Sequence, residues 1–259
     1  MGAATFLHEQ AAQDLKERLI EVNRSFQNAL IIGPQAGLWA DQMGVSAKTV
    51  ADDEVLDISD ATADLAIHAL ALHHANDPVG QLVQMRRALR PDGLAVAVMF
   101  GGRTLSELRT ALAEAETRVR GGLAPRVAPM GDIRELGALL QRAGLAMPVA
   151  DSMVLNVTYA DPLALMRDLR AMGETNVLAA QDRRFLRRDV LAETCRIYAD
   201  AFSNDDGRIR ATFELVYLTG WAPSPEQQKP LRPGSASTRL ADALGSEEVS
   251  AGEPTGPDQ

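Results

Sequence analysis

Apolar positions recur at two different periods along the 259 residues of this chain. Over residues 6–22, Leu15, Leu19 and Val22 fall at helical spacing among Lys16, Glu17 and Arg18, which predicts an amphipathic helix. Ala29-Leu30-Ile31-Ile32 is a continuous apolar run closed by Gly33. Such a run suits a strand buried on both faces, as in a parallel sheet. Further strands are expected at residues 49–51, 65–72 and 94–100. A helix over 79–89 is stopped by Pro91-Asp92-Gly93. Strands alternating with helices imply βαβ units and a mainly parallel α/β sheet.

Helices are signposted by their caps after Gly102. Thr104 and Glu107 form a capping-box pattern, and Asp132 with Glu135 forms its aspartate version, ending near Gly144. Asp161-Pro162 opens another helix with Gly173 beyond its end, and a longer one is expected over 189–202. Two late strands, 153–159 and 211–219, frame the stretch 161–206, which is therefore a helical insertion. One α/β domain over 1–221 is expected. A Pro- and Gly-rich tail over 222–259 follows, its last part disordered.

Composition narrows the function classes. The net charge is −9, with a pI near 5.0, which argues against a nucleic-acid backbone as the main partner. No apolar run approaches a membrane span, and the N-terminus lacks the pattern of a secretory signal, so a cytoplasmic location is expected. Cys195 is the only cysteine, so no intramolecular disulfide can form, which fits a reducing compartment.

Candidate chemistry gathers at the predicted strand ends. Gly33-Pro34-Gln35-Ala36-Gly37 follows the first strand, where glycine lets backbone pass close to a ligand; a plain strand-to-helix turn reads equally well. Asp52, with Asp53 and Glu54, lies 19 residues past Gly33, at a distance suited to a ribose hydroxyl; a solvated acidic loop is the alternative. Leu72-His73-His74-Ala75-Asn76-Asp77-Pro78 follows the third strand and is a candidate pocket wall. Adjacent histidines on extended backbone point to opposite sides, and only His8 and His68 remain, so no metal site is expected. Phe100-Gly101-Gly102-Arg103-Thr104 could hold an anion at a helix start, or be a tight turn. Arg183, Arg184, Arg187, Arg188, Arg196, Arg208 and Arg210 could meet an acidic partner, though such a run is more often the wet face of a helix.

Taken together, the glycine turn, the acidic triplet, the Leu72–Pro78 block and Leu89-Arg90-Pro91-Asp92-Gly93-Leu94 resemble the class I S-adenosylmethionine (SAM) methyltransferases. Downstream blocks narrow the likeness. They are Met99 through Arg109, Gly121 through Pro129, Met166 through Gly173, Gly220-Trp221-Ala222-Pro223 and Gln227 through Ala236. These are similar to the bacterial relatives of the mitochondrial complex I assembly factor of that superfamily. The resemblance implies a Rossmann-like sheet and SAM as cofactor, held through Gly33, Gly37, Asp52, Asp53, Leu72 and His73. It also implies a protein substrate or partner, since the mitochondrial member hydroxylates an arginine of a complex I subunit. A more distant relative methylates the malonyl carboxylate on a carrier protein.

The chain departs from the family pattern in two places. Ile31 stands where the first acidic residue belongs, and Pro34-Gln35 replaces the middle of the glycine loop. Only residues 38–50 separate that loop from Ala51-Asp52-Asp53-Glu54, too few for the usual strand, helix and strand. A sheet shortened near strands 2–3 is expected, with either an impaired cofactor site or a non-catalytic assembly role.

Overall fold

The structure is a computed structural model that describes residues 5–182 and 184–227. From Gln228 onward, the expected tail lies outside the described residues, as does Arg183. The elements below all lie in a unit that ends at Ser224.

A six-stranded sheet runs in the order β2-β1-β3-β4-β6-β5. Its strands are β1 (Ala29–Ile32), β2 (Ala47–Val50), β3 (Ala63–Ala69), β4 (Leu89–Phe100), β5 (Ala146–Tyr159) and β6 (Ile209–Trp221). The first four pair in parallel, and β6 runs antiparallel between β4 and β5. Alternate side chains of each strand feed two separate cores. Ile31, Leu65, Ile67, Val96 and Phe213 meet α1 (Phe6–Glu21), α2 (Ala36–Met43), α4 (Ser106–Arg120), α6 (Pro162–Met172) and α7 (Arg188–Phe202). Ile32, Ala66, Ala95 and Leu218 meet α3 (Pro78–Ala88) and α5 (Ile133–Arg142) on the other face. The result is a three-layer α/β/α domain, shortened as the sequence predicts. A single strand, β2, stands between the glycine turn and the acidic triplet, and it forms the sheet edge beside β1.

Several local expectations need correction. The interval after Gly37 carries a helix, α2, which leaves room for one short strand. Pro91-Asp92-Gly93 does not separate a helix from a strand. The pairing slips between Ala63↔Leu89 and Leu65↔Leu94, so these residues bulge within β4, with Asp92 at φ 64°. β5 begins at Ala146, well before residue 153, and the third strand stops at Ala69 rather than 72. Thr104 and Glu107 make no capping box. The Thr104 hydroxyl accepts from the Glu214 N–H at 3.0 Å, the Glu107 carboxylate accepts from the Thr212 N–H and hydroxyl, and Leu105 caps α4 with a left-handed backbone. Those side chains stitch α4 to β6 instead. Asp132 and Asp161 do cap their helices, accepting from Arg134 N–H at 2.9 Å and Ala164 N–H at 2.7 Å. The expected insertion holds α6 and α7 between β5 and β6.

Candidate functional site

Ligands of open parallel sheets bind beyond the carboxyl ends of the strands. In this chain β1, β2 and β3 deliver Gly33, the Asp52 loop and the Leu72–His74 turn to that edge. Gly33 has φ 137°, and a Cβ there would stand 2.9 Å from the Ala69 carbonyl oxygen. Its N–H donates to Val50 O at 3.0 Å. The space beside this glycine is thus filled by neighbouring strand ends. Gly37 is exposed in the first turn of α2, with open space around it. Ile31 is fully buried in the core. Leu72 is also fully buried, among the residues packed under α3.

Asp52, Asp53 and Glu54 are exposed in the loop after β2. Gln81 and Gln84 of α3 donate to the backbone carbonyls of Asp53 (2.6 Å) and Glu54 (2.8 Å), which ties the loop to the helix. Asn76 donates to the Glu54 carboxylate at 2.9 Å. A cavity of about 370 Å³ opens here, lined by Asp52, Glu54, His74, Asn76, Gly80 and Gln81 among others. Neither Gly33, Gly37 nor Asp53 lines it.

The histidine pair is where the structure departs most from expectation. Leu72–His74 forms a 3-10 turn, not extended backbone. Both imidazoles therefore turn to one side and meet Glu174, the residue after the Gly173 cap of α6. Each histidine Nε2 lies 3.1 Å from the same oxygen, Glu174 Oε2. The His73 ring is almost wholly buried, 4.8 Å from the Phe100 ring centre and 4.1 Å from that of His74. Desolvation would raise the Glu174 pKa, but hydrogen bonds from His73 and His74 outweigh it and bring it to about 2. The hydrogen bond to Glu174 raises His74, whereas burial lowers His73.

The chain's other two histidines stand close by. His8 of α1 accepts from Trp39 Nε1 through its Nδ1 at 3.0 Å and feels the charges of Glu174 and His73. His68, on β3, is 1% exposed, and burial lowers its pKa to about 4. Among the described residues neither of its ring nitrogens makes a hydrogen bond of good geometry, although Gln81 stands near enough to oppose the shift slightly. Glu174 and His8 were not among the sequence candidates. Glu174 directly follows the Met166–Gly173 block, but only folding carries that block to the strand ends.

Other candidates resolve as structure. The Gly101-Gly102 turn already holds an anion of its own, since Glu214 accepts from the Arg103 N–H at 2.9 Å. In the arginine run, Arg196 pairs with Glu193 and Asp200, Arg187 with Asp189, and Arg210 with Glu107. Cys195 is part-buried, and desolvation pushes its thiol up, the opposite of activation. Among the described residues, no helix is long and apolar enough to cross a membrane.

Residues 9–97 match the family model of a methyltransferase domain. A candidate methyltransferase from Bacillus halodurans shares the fold at 12% identity, with a TM-score of 0.53, over 81% of this chain and 99% of its own. Fold and strand-end site thus define a class I methyltransferase-type domain. Mitochondrial arginine-hydroxylase NDUFAF5 of Danio rerio is 34% identical over 262 residues, covering 92% of this chain and 81% of the relative. The chain belongs to the NDUFAF5 family. The malonyl-[acyl-carrier protein] O-methyltransferase of Xylella fastidiosa is 34% identical over 175 residues, 68% of this chain and 57% of its own length. The zebrafish alignment runs over 262 positions yet uses 92% of these 259 residues, so roughly two dozen of its positions have no counterpart here.

Proposed function

We propose that this protein modifies an arginine side chain of a protein substrate by hydroxylation, with dioxygen supplying the inserted oxygen atom and an external two-electron donor reducing the second atom to water, rather than transferring a methyl group to a carboxylate. The observation that carries this reading is the charge of the strand-end cavity. Asp52, Glu54 and Asp77 line it, and Asp52 makes no side-chain hydrogen bond among the described residues. A guanidinium is the cation that carboxylates bind best, through paired charge-assisted hydrogen bonds. A carboxylate substrate would meet repulsion there. The family relation over 92% of the chain, to proteins named arginine hydroxylases, supports the same choice.

The cofactor half of the fold supports only part of a SAM site. Gly33 follows β1, Gly37 lies in the first turn of α2 and Asp52 lies in the loop after β2, which supports at most a partial nucleotide cradle. The acidic position of β1 is Ile31, fully buried in the core, and one strand stands where two would lie between the glycine turn and the adenine contact. These residues do not fit SAM as the family's complete motif would. The chain's own groups instead bind and orient a cationic side chain, with Asp52 and Glu54 as acceptors and His74 at the cavity wall. The lone Cys195 suits a reducing, cytoplasmic setting for such a protein.

The test is a comparison of arginine-containing peptides from cells with and without this gene, by mass spectrometry. Loss of an added oxygen atom on one arginine supports the proposal. Loss of a methyl group from any residue replaces it with methyl transfer. No lost modification, with a partner protein failing to assemble, replaces it with a non-catalytic assembly role.

A further inference from the structure

We propose that His73, His74 and Glu174 form a binding site for one divalent first-row transition-metal ion. The three side chains offer two imidazole nitrogens and one carboxylate oxygen, all within 4.8 Å of one another. The two nitrogen-to-oxygen separations are both 3.1 Å. Ligand atoms about 2.1 Å from a common metal, at cis or tetrahedral angles, stand roughly 3.0–3.4 Å apart. Two edges of the triangle therefore already have the length that a bound ion imposes. The third edge, between the two imidazole nitrogens, is within 4.8 Å.

Burial and access point the same way. Glu174 and His73 are 12% and 1% exposed, so the donors are held by packing and not by solvent-averaged rotamers. His74 is 27% exposed and lines the 370 Å³ cavity, which gives an ion a path in. The donors come from separate parts of the chain, the turn after β3 and the residue after α6, so the ion would cross-link the helical insertion to the sheet. Two imidazoles and one carboxylate suit Fe(II), Mn(II), Co(II) or Zn(II) better than Mg(II) or Ca(II), which prefer all-oxygen shells. Both Nε2 atoms face Glu174 and must be free of hydrogen to bind, so each bound ring carries its one proton on Nδ1 and any second imidazole proton leaves to solvent. This site is independent of the arginine reading: metal binding can be measured on the purified protein with no substrate present.

The experiment is a titration of the metal-free full chain with Co(II), followed by visible absorption and calorimetry, then repeated with Fe(II) under anaerobic conditions. One equivalent should bind with ligand-field bands of a nitrogen–oxygen site. Glu174→Gln, which keeps the shape, and His74→Ala, on the more exposed ligand, should each weaken binding at least about 10-fold. In the unmutated protein, Co(II) should also shift two imidazole N–H proton signals far outside the diamagnetic range, a readout that needs no variant. No binding by the unmutated chain at submillimolar Co(II), equal affinity in both variants, or a bound ion that shifts no histidine signal would each overturn the site. The three residues would then be an ion pair only.

Discussion

Glu174 accepts a hydrogen bond from His73 Nε2 at 3.1 Å, between residues 101 positions apart. The contact fixes the end of α6 against the turn after β3, and His74 doubles it from the cavity side. The Glu174 pKa is depressed to about 2, so its contribution is present above about pH 4.5 and fades as pH falls toward 2. His74 is raised above its usual 6.5, so its contribution is present below pH 6.5 and is lost as pH climbs through the higher folded value. Glu174→Gln should therefore cost about 2 kcal/mol at pH 6. The gap to the parent protein should narrow toward pH 9. Urea unfolding of both proteins across that range checks the direction; a gap that widens with pH refutes it.

His68 should make the protein acid-sensitive. Its ring is held neutral by burial, with a folded pKa near 4 against 6.5 when unfolded. Below pH 6.5 the unfolded chain takes up a proton that the folded chain refuses, so stability falls until about pH 4. The full loss from this one group is roughly 3 kcal/mol. His68→Leu removes the titration and should flatten the stability profile between pH 6.5 and 4.5, measured by urea midpoints. A variant profile as steep as the parent's would assign the sensitivity elsewhere.

Two glycines that look equivalent in the sequence should respond in opposite ways. At Gly33 the backbone has φ 137° and an added methyl would meet the Ala69 carbonyl at 2.9 Å. Gly33→Ala should cost roughly 3 kcal/mol, from left-handed strain and the clash together. At Gly37 nothing lies within 4 Å of an added Cβ, and the residue is already helical. Gly37→Ala should stabilise by about 0.5–1 kcal/mol. Thermal melts of the two variants separate the cases; a destabilised Gly37→Ala would mean that its open space is needed.

What the sequence could and could not reveal follows from the range of the forces involved. Asp132 and Asp161 cap their helices through neighbours two and three residues away, so local spacing was enough to find them. Thr104 and Glu107 carry the same local pattern, but their partners are Glu214 and Thr212 on β6, more than a hundred residues on. A tertiary competitor overrode the cap, and no local rule reports that. The buried strands were legible because both their faces are apolar, as in Ile31 and Ile32. The histidine site was not, because it depends on a three-residue change from extended to 3-10 backbone and on the distant Glu174. The shortened sheet was legible by simple length: the interval from Leu38 to Val50 holds one helix and one strand and no more.

The cofactor half gives the last prediction. A complete SAM site would raise stability by about 2.7 kcal/mol at one hundred times Kd, a melting shift of roughly 5–10 °C for a domain of this size. If, as proposed, neither position 31 nor a second strand supplies a carboxylate to the nucleotide, binding loses at least one charge-assisted hydrogen bond, worth about 1.5–3 kcal/mol. That loss moves micromolar binding toward millimolar. At ligand equal to Kd the gain is only about 0.4 kcal/mol, or roughly 1 °C. Melting curves with millimolar SAM or S-adenosylhomocysteine should therefore move by no more than a degree or two. A shift of several degrees would show that Gly33, Gly37 and Asp52 hold the nucleotide without Ile31's missing charge, and methyl transfer would then become the reading to pursue.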